Sequence, residues 1–300
     1  MAVSKSRRIR KGSPMADVKK RRIRSKDDVP PGSTGGLDRL REALRPYRKA
    51  VLAFSGGVDS TFLLAVLCED PDREVLALTA LSATYPESQI EEARRTVERF
   101  PSARHREIRT DELHLAEFRN NPPDRCYHCK KELFSAILEI RDKEGYDVVL
   151  DGSNLDDLAD FRPGLRALEE LGVKSPLKEA GLGKEEIRRL SREMGLPTWN
   201  KPSFACLSSR FPYGTPITEE ALARIDRCEA FLGDRIHGSI RVRYYDAMAR
   251  IEVDPGVFPT FLEEREAIVA FFKEQGFAYV TLDLEGYRTG SMNEVLFAKG

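Results

Sequence analysis

The sequence predicts an α/β protein in which a doubly wound, mostly parallel sheet is followed by a smaller C-terminal α+β domain. From about Leu37 onward, short apolar runs alternate with helical patterns, as in parallel strands joined by crossover helices. The run S-G-G-V-D-S at residues 55–60, called the glycine turn below, joins the first apolar run to a helix. After residue 205 the pattern changes, and the predicted strand at 239–246 alternates strictly between its two faces.

Composition limits the class of protein. The chain has 300 residues, a formal net charge of zero and 41% apolar residues, which suits a globular protein without an overall bias toward nucleic acid or membranes. No apolar run approaches the roughly 20 residues of a membrane helix, and no secretory signal is apparent. Five cysteines, an odd number, do not suggest a disulfide framework, so we expect a cytoplasmic protein.

Residues 1–36 are basic and carry few large apolar side chains. They cannot bury enough surface to offset the entropy of ordering, so we predict a disordered tail, either solvated or in contact with nucleic acid or polyphosphate. We divide the rest into a parallel-sheet domain at 37–205 and an α+β domain at 206–300.

The elements of the first domain follow in a regular order. Helices are predicted at 37–47, 61–69, 86–100, 129–145 and 183–195, and strands at 49–55, 74–82, 103–110 and 147–154. In the second domain we predict a helix that begins after Thr218, strands at 239–246, 249–255 and 277–287 with antiparallel pairing, and one helix at 258–276. Ligands of doubly wound sheets lie beyond the carboxyl ends of the strands.

The glycine turn has the features of an anion site. Gly56 and Gly57 lack a Cβ, so the backbone can turn tightly and approach a ligand. The following helix presents free N–H groups, and Ser55 and Ser60 add hydroxyl donors. Asp59 could cap the helix or hold Mg²⁺ beside a phosphate chain.

The turn lacks the lysine of a Walker A loop and instead resembles the PP-loop of the N-type ATP pyrophosphatases. The resemblance implies cleavage of ATP between the α- and β-phosphates, which gives an AMP-activated intermediate and pyrophosphate. D-G-S-N at 151–154 ends another strand at the same rim. The implied nucleotide-binding residues are Ser55, Gly56, Gly57, Val58, Asp59, Ser60 and Gly152.

Three cysteines are candidates for sulfur or metal chemistry. Cys126 and Cys129 form a C-x-x-C ahead of a predicted helix, whose N-terminus we expect to lower the pKa of the thiols. Cys206 follows the last helix of the first domain. Zinc binding, redox exchange and packing are all compatible with C-x-x-C, but three cysteines can also ligate three irons of a [4Fe–4S] cluster. Cys68 and Cys228 are predicted to be buried small hydrophobes.

Four polar residues of the second domain suggest anion binding. The alternation of residues 239–246 places Arg241 and Arg243 on one strand face, where they could bind phosphate or carboxylates. Ser209 and Arg210 lie shortly after Cys206 and add further donors.

Together the glycine turn, R-C-Y-H-C-K-K-E-L-F, F-A-C-L-S-S-R-F-P-Y-G, and I-R-V-R followed by R-I-E-V resemble the LarE family from about Leu37 to Gly300. LarE proteins are ATP-dependent sulfur transferases that mature the nickel-pincer nucleotide of lactate racemase. The resemblance implies ATP and Mg²⁺, a homo-oligomer, a sulfide donor, and pyridinium-3,5-biscarboxylic acid mononucleotide as the substrate. It also implies a substrate pocket of Ser209, Arg210, Arg241 and Arg243, with Glu229 and Glu252 as nearby acids that could bind a metal.

The family obtains sulfur in two ways. One type sacrifices a single cysteine, which becomes dehydroalanine, and that interpretation would depend on Cys206 alone. The other type holds a [4Fe–4S] cluster on three cysteines, and Cys126, Cys129 and Cys206 favour it here. Other functions also stay open: a PP-loop enzyme that thiolates transfer RNA, which the basic tail would suit, an amidotransferase-type PP-loop enzyme, or a nucleotide-binding module without catalysis.

Overall fold

The computed structural model describes residues 35–159 and 163–294, so the predicted tail lies outside the described residues except at its end. From Gly36 onward the chain forms one compact unit. Its strands are β1 (Lys49–Ala53), β2 (Glu74–Leu81), β3 (Ala103–Arg109), β4 (Val148–Leu150), β5 (Ile240–Tyr245), β6 (Met248–Val253) and β7 (Tyr279–Leu282). Its helices are α1 (Gly36–Leu44), α2 (Val58–Leu67), α3 (Glu87–Val97), α4 (Ala116–Arg119), α5 (Arg125–Glu144), α6 (Pro163–Glu170), α7 (Pro176–Glu179), α8 (Lys184–Glu193), α9 (Glu219–Gly233), α10 (Phe258–Glu263) and α11 (Arg265–Glu274).

The first sheet confirms the predicted fold class. Its four strands are all parallel in the order β3-β2-β1-β4. Side chains of β1 point alternately into two cores: Leu52 packs with α1, α2 and α8, whereas Val51 packs with Phe134 of α5. Burial on both faces is why these strands appear in the sequence as continuous apolar runs. None of the described helices is both long and apolar enough to cross a bilayer.

The second sheet, in the order β5-β6-β7, differs from prediction in one pairing. β5 and β6 are antiparallel, as expected, but β6 and β7 are parallel. The chain returns from β6 through α10 and α11, and such a helical crossover sets the next strand parallel. The predicted single helix at 258–276 is therefore wrong: it divides at Glu264, whose ψ of 2° interrupts the helix.

Two helix starts bear on the site. Thr218 accepts a hydrogen bond from the N–H of Ala221 at 3.2 Å, which confirms the predicted N-cap of α9. Helix α5 begins at Arg125, four residues before the predicted start. Cys126 and Cys129 therefore lie one turn apart inside α5 rather than in a loop ahead of it.

Candidate functional site

A cavity of about 580 Å³ opens at the carboxyl ends of β1, β2 and β4. Its size is typical of small-molecule sites, and its place is where doubly wound sheets bind ligands. The predicted nucleotide-binding residues in its lining are Ser55, Gly57, Val58, Asp59, Ser60 and Gly152. Apolar side chains of β2 and α5, such as Leu78 and Phe134, form part of the opposite wall.

Gly56 supports the cavity without lining it. Its φ of +66° lies in the left-handed region, and a Cβ there would approach the Cα of Ala93 to 2.7 Å. The turn therefore needs glycine at this position both for its backbone angle and for its packing on α3. The Gly56 carbonyl accepts a hydrogen bond from Lys201 at 3.2 Å.

The loop after β4 packs directly on the glycine turn. A Cβ on Gly152 would lie 3.2 Å from the backbone nitrogen of Ser60, so glycine lets the two loops share one cavity. The hydroxyls of Ser55 and Ser60 lie 3.3 Å apart, and Ser60 also donates to the Gly57 carbonyl. Free N–H groups at the start of α2 complete an anion-binding turn.

Asp59 has two partners that the sequence analysis missed. The Lys184 ammonium lies 2.5 Å from one carboxylate oxygen, and the Asn154 amide donates to the other at 3.3 Å. Lys184 opens α8, where its own N–H donates to Asp156 at 2.7 Å. All four residues line the cavity. A carboxylate and a cation therefore lie together in the cavity beside the glycine turn.

The three candidate cysteines gather at a second place, beside Tyr85. Cys206 is held there because the N–H of the next residue, Leu207, donates to the Thr84 carbonyl at 2.8 Å. Burial raises the pKa of Tyr85 well above its usual range. Negative charge on four neighbouring groups raises it further: Cys129, Cys206, Glu112 and Cys126. Tyr85 also lines the cavity at the carboxyl ends of the strands.

The expectation that the start of α5 lowers the pKa of the thiols is wrong for Cys129. Burial raises the pKa of Cys129 well above its usual range, and the charge on Glu112 raises it further. Glu112 is 2% exposed and accepts hydrogen bonds from the hydroxyls of Ser82 and Thr84. Burial of the thiol, reinforced by a neighbouring buried carboxylate, outweighs any lowering of the pKa by the helix dipole.

The described residues contain no preformed metal site. No group of three or more His, Cys, Asp or Glu residues there is arranged to hold a metal ion. The donor chemistry of Cys126, Cys129 and Cys206 nevertheless fits an iron–sulfur cluster, because thiolates are its usual ligands and charges on all three act on Tyr85. Cys126 is exposed, and Cys129 and Cys206 are partly buried.

Three arginines converge near the turn at Leu207–Arg210, which is a short 3₁₀ helix. Arg210 is fully buried and binds Glu229 through two nitrogens at 2.8 and 2.7 Å. Arg243 pairs with Glu252 at 2.6 Å and donates to the Ser209 carbonyl at 3.0 Å. The Arg210 guanidinium also donates to the Ser209 hydroxyl at 2.9 Å. The predicted pocket residues are therefore neighbours.

Arg241 differs from the other two arginines because no carboxylate among the described residues forms an ion pair with it. Its guanidinium lies 5.1 Å from the centre of the Tyr287 ring and donates to the Ile240 carbonyl at 2.7 Å. Burial lowers the pKa of Arg241, and the nearby positive charge of Arg210 lowers it further. An anionic ligand bound beside Arg241 would stabilise this charge.

The two acids predicted as possible metal ligands, Glu229 and Glu252, form ion pairs with arginines. Glu229 also accepts a hydrogen bond from the N–H of Val242 at 2.8 Å, and Glu252 binds Arg250 at 2.9 Å in addition to Arg243. Both carboxylates are thus engaged by protein partners, and a metal role for Glu229 and Glu252 stays a prediction.

The chain is similar to three curated proteins along most of its length, although no family model matches it. It is 40% identical over 262 residues to an uncharacterized protein of Synechocystis, covering 87% of this chain and 97% of the relative. It is 36% identical over 258 residues to the pyridinium-3,5-bisthiocarboxylic acid mononucleotide synthase of Lactiplantibacillus plantarum, covering 86% and 93%. An uncharacterized protein of Methanocaldococcus jannaschii is 34% identical over 242 residues, covering 81% and 92%.

Proposed function

The chain belongs to the LarE family, and from this premise we propose that it is an ATP-dependent sulfur transferase acting on pyridinium-3,5-biscarboxylic acid mononucleotide. One observation supports this most strongly. A single stretch lines the nucleotide cavity at Lys201–Phe204 and continues within a few residues to Cys206, Ser209 and Arg210. Nucleotide, sulfur and substrate-binding groups are thus adjacent along one segment of chain.

The first step is activation of a carboxylate. A carboxylate is a poor electrophile, and its negative charge repels the triphosphate. In the proposed reaction a substrate carboxylate oxygen attacks the α-phosphorus, the bond to the β-phosphate oxygen breaks, and pyrophosphate leaves. The glycine turn would orient the phosphates, and Lys184 would offset their charge. Asp59 would hold Mg²⁺, which shields the phosphate oxygens.

The second step replaces AMP by sulfur. A sulfur nucleophile attacks the acyl carbon of the adenylate, the bond to the phosphate oxygen breaks, and AMP leaves with its electron pair. The product is a thiocarboxylate. Arg241 would hold the substrate phosphate, while Arg210 and Arg243 are fixed by carboxylates and shape the pocket.

The arrangement of three cysteines is the basis for the proposed source of sulfur. We infer that Cys126, Cys129 and Cys206 would hold a [4Fe–4S] cluster, which would supply a binding site for an exogenous sulfide. The hydrogen bond from Leu207 to the Thr84 carbonyl holds Cys206 close in the fold to Tyr85, which lines the cavity, and this supports a sulfur source beside the proposed site of adenylation. The alternative is a sacrificial reaction at Cys206 alone.

The activity is tested by measuring pyrophosphate release and thiocarboxylate formation under anaerobic conditions. We expect the pyridinium mononucleotide to stimulate both in the presence of ATP. If transfer RNA stimulates pyrophosphate release and the pyridinium nucleotide does not, the assignment fails in favour of transfer RNA thiolation. Asp59→Asn should abolish pyrophosphate release, whereas Asp72→Asn, an exposed aspartate outside the cavity, should not.

The sulfur source has its own readout. Anaerobically purified protein should be brown, with about four iron and four labile sulfide per chain. Cys126→Ala should remove the colour and leave ATP affinity unchanged, and Cys68→Ala serves as the matched control. Colourless wild-type protein in which Cys206 loses the mass of H₂S after one turnover would establish the sacrificial type instead.

A further inference from the structure

The segment from Trp199 to Cys206, called the connecting segment below, joins the region after α8 to the arginine cluster. Its residues Lys201, Pro202, Ser203 and Phe204 form one wall of the nucleotide cavity. Its last residue, Cys206, lies beside Tyr85. Any nucleotide that fills the cavity therefore touches the same segment that carries a thiol of the sulfur site.

The Lys201 side chain connects this segment to the glycine turn by a hydrogen bond. Its side chain is 11% exposed, and its ammonium lies 2.8 Å from Glu92 of α3. The same ammonium donates to the Gly56 carbonyl at 3.2 Å. A largely buried ammonium is costly unless it is paired, so these two contacts hold the side chain in place.

Both ends of the connecting segment are anchored elsewhere. Arg188 of α8 donates to the carbonyls of Trp199 at 2.9 Å and Lys201 at 2.6 Å. At the other end Arg210 donates to the Ala205 carbonyl at 2.7 Å and the Cys206 carbonyl at 3.2 Å. Between these anchors, Lys201 is the side chain that connects the segment to the nucleotide-binding loop.

We propose that Lys201 is a positioning residue that couples the nucleotide-bound glycine turn to the placement of Cys206. A bound nucleotide fixes the position of the glycine turn. Because Lys201 donates to the Gly56 carbonyl, it then fixes the position of the connecting segment as well. Adenylation and sulfur transfer then take place in one aligned site. The measurement of sulfur transfer depends on the proposed function. The measurement of the nucleotide response does not.

Trp199 reports on the segment directly. It is the one tryptophan of the 300-residue chain, it is 37% exposed, and the Arg192 guanidinium lies 5.0 Å from its ring centre. Its fluorescence and its quenching by acrylamide therefore follow the connecting segment alone. In the wild type we expect both to change on saturation with α,β-methylene ATP, an analogue that resists cleavage at the α,β bond.

The test compares Lys201→Met, Lys201→Arg and Lys178→Met in the full chain. At saturating analogue Lys201→Met should lose the change at Trp199, and at saturating ATP its ratio of pyrophosphate to thiocarboxylate should rise at least about tenfold. Lys201→Arg keeps the charge and should restore part of both. Lys178, whose side chain pairs with Glu169 and does not line the cavity, should behave as wild type when changed to Met.

The outcomes separate the alternatives. If Lys201→Met retains the wild-type response of Trp199 and the wild-type product ratio, the positioning role is overturned. Loss of analogue binding with an unchanged ratio also overturns it, in favour of a direct phosphate contact. If the wild type forms no thiocarboxylate, the proposed function fails, while the Trp199 response still decides whether Lys201 couples the cavity to the segment. Lys201→Arg keeps the test decisive should Lys201→Met not fold.

Discussion

Replacing Gly56 by alanine tests the glycine turn most directly. The alanine would have to keep a φ of +66°, which costs about 1–2 kcal/mol for a residue with a Cβ. Its Cβ would also stand 2.7 Å from the Cα and 2.9 Å from the Cβ of Ala93. Because the first neighbour is backbone, α3 must shift, which adds about 1–3 kcal/mol of overpacking. The free energy of unfolding should fall by about 2–5 kcal/mol.

Two glycines separate these contributions. Gly145 has a φ of +69°, but an added Cβ would have no neighbouring atom within 4 Å, so Gly145→Ala measures strain alone, about 1–2 kcal/mol. Gly57 has a φ of −80°, and its added Cβ would meet only the Ser55 hydroxyl at 3.4 Å. Gly57→Ala should therefore cost no more than about 1 kcal/mol in stability.

Urea unfolding followed by circular dichroism gives the comparison. We expect Gly56→Ala to unfold at the lowest urea concentration of the three variants, and Ala93→Gly in that background to recover part of the loss by removing the nearby Cβ. Equal midpoints for Gly56→Ala and Gly145→Ala would refute the reasoning, because the contact with Ala93 would then contribute nothing.

Three further experiments test the site and the core of the second domain. Gly152→Ala places a Cβ 3.2 Å from the Ser60 nitrogen and should weaken ATP binding about tenfold in calorimetry, with little loss of thermal stability. Arg241→Gln removes a charge-assisted contact and should raise the KM for the mononucleotide roughly 10- to 100-fold with unchanged ATP affinity; an unchanged KM would exclude Arg241 from the phosphate site. Burial raises the pKa of Cys228 to about 12, so at pH 8 the folded chain should resist iodoacetamide at Cys228, and peptide mass spectrometry should show the reaction only after unfolding in urea.

The sequence predicts the parallel sheet and the glycine turn well because their signals are local. A strand buried on both faces needs a continuous apolar run, and a turn with positive φ needs glycine, as at Gly56. The Thr218 cap is local in the same way. The division of the last helix at Glu264 had no such signal, since neither glycine nor proline marks it.

The partners of the site residues could not be predicted because they are distant in the chain. Lys184 lies 125 residues from Asp59, and Lys201 lies 145 residues from Gly56. The same limit explains the wrong expectation for the pKa of Cys129. The sequence shows the start of a helix beside that thiol, whereas the buried Glu112 reaches it only through the fold.

Glu229 is predicted from the sequence as a possible metal ligand, and its partners in the structure indicate a role in positioning Arg210. Glu229 holds Arg210 with two hydrogen bonds and accepts a third from Val242, the residue next to Arg241 on β5. Its carboxylate therefore fixes both the arginine and the strand backbone, while Arg241 keeps a charge that no described carboxylate pairs with. A pocket that neutralised all its arginines would have no electrostatic reason to bind a phosphate. By fixing Arg210 and leaving Arg241 unpaired, the cluster combines rigidity with attraction for an anion, and this difference between neighbours supports a substrate-binding role for Arg241 rather than a purely structural one.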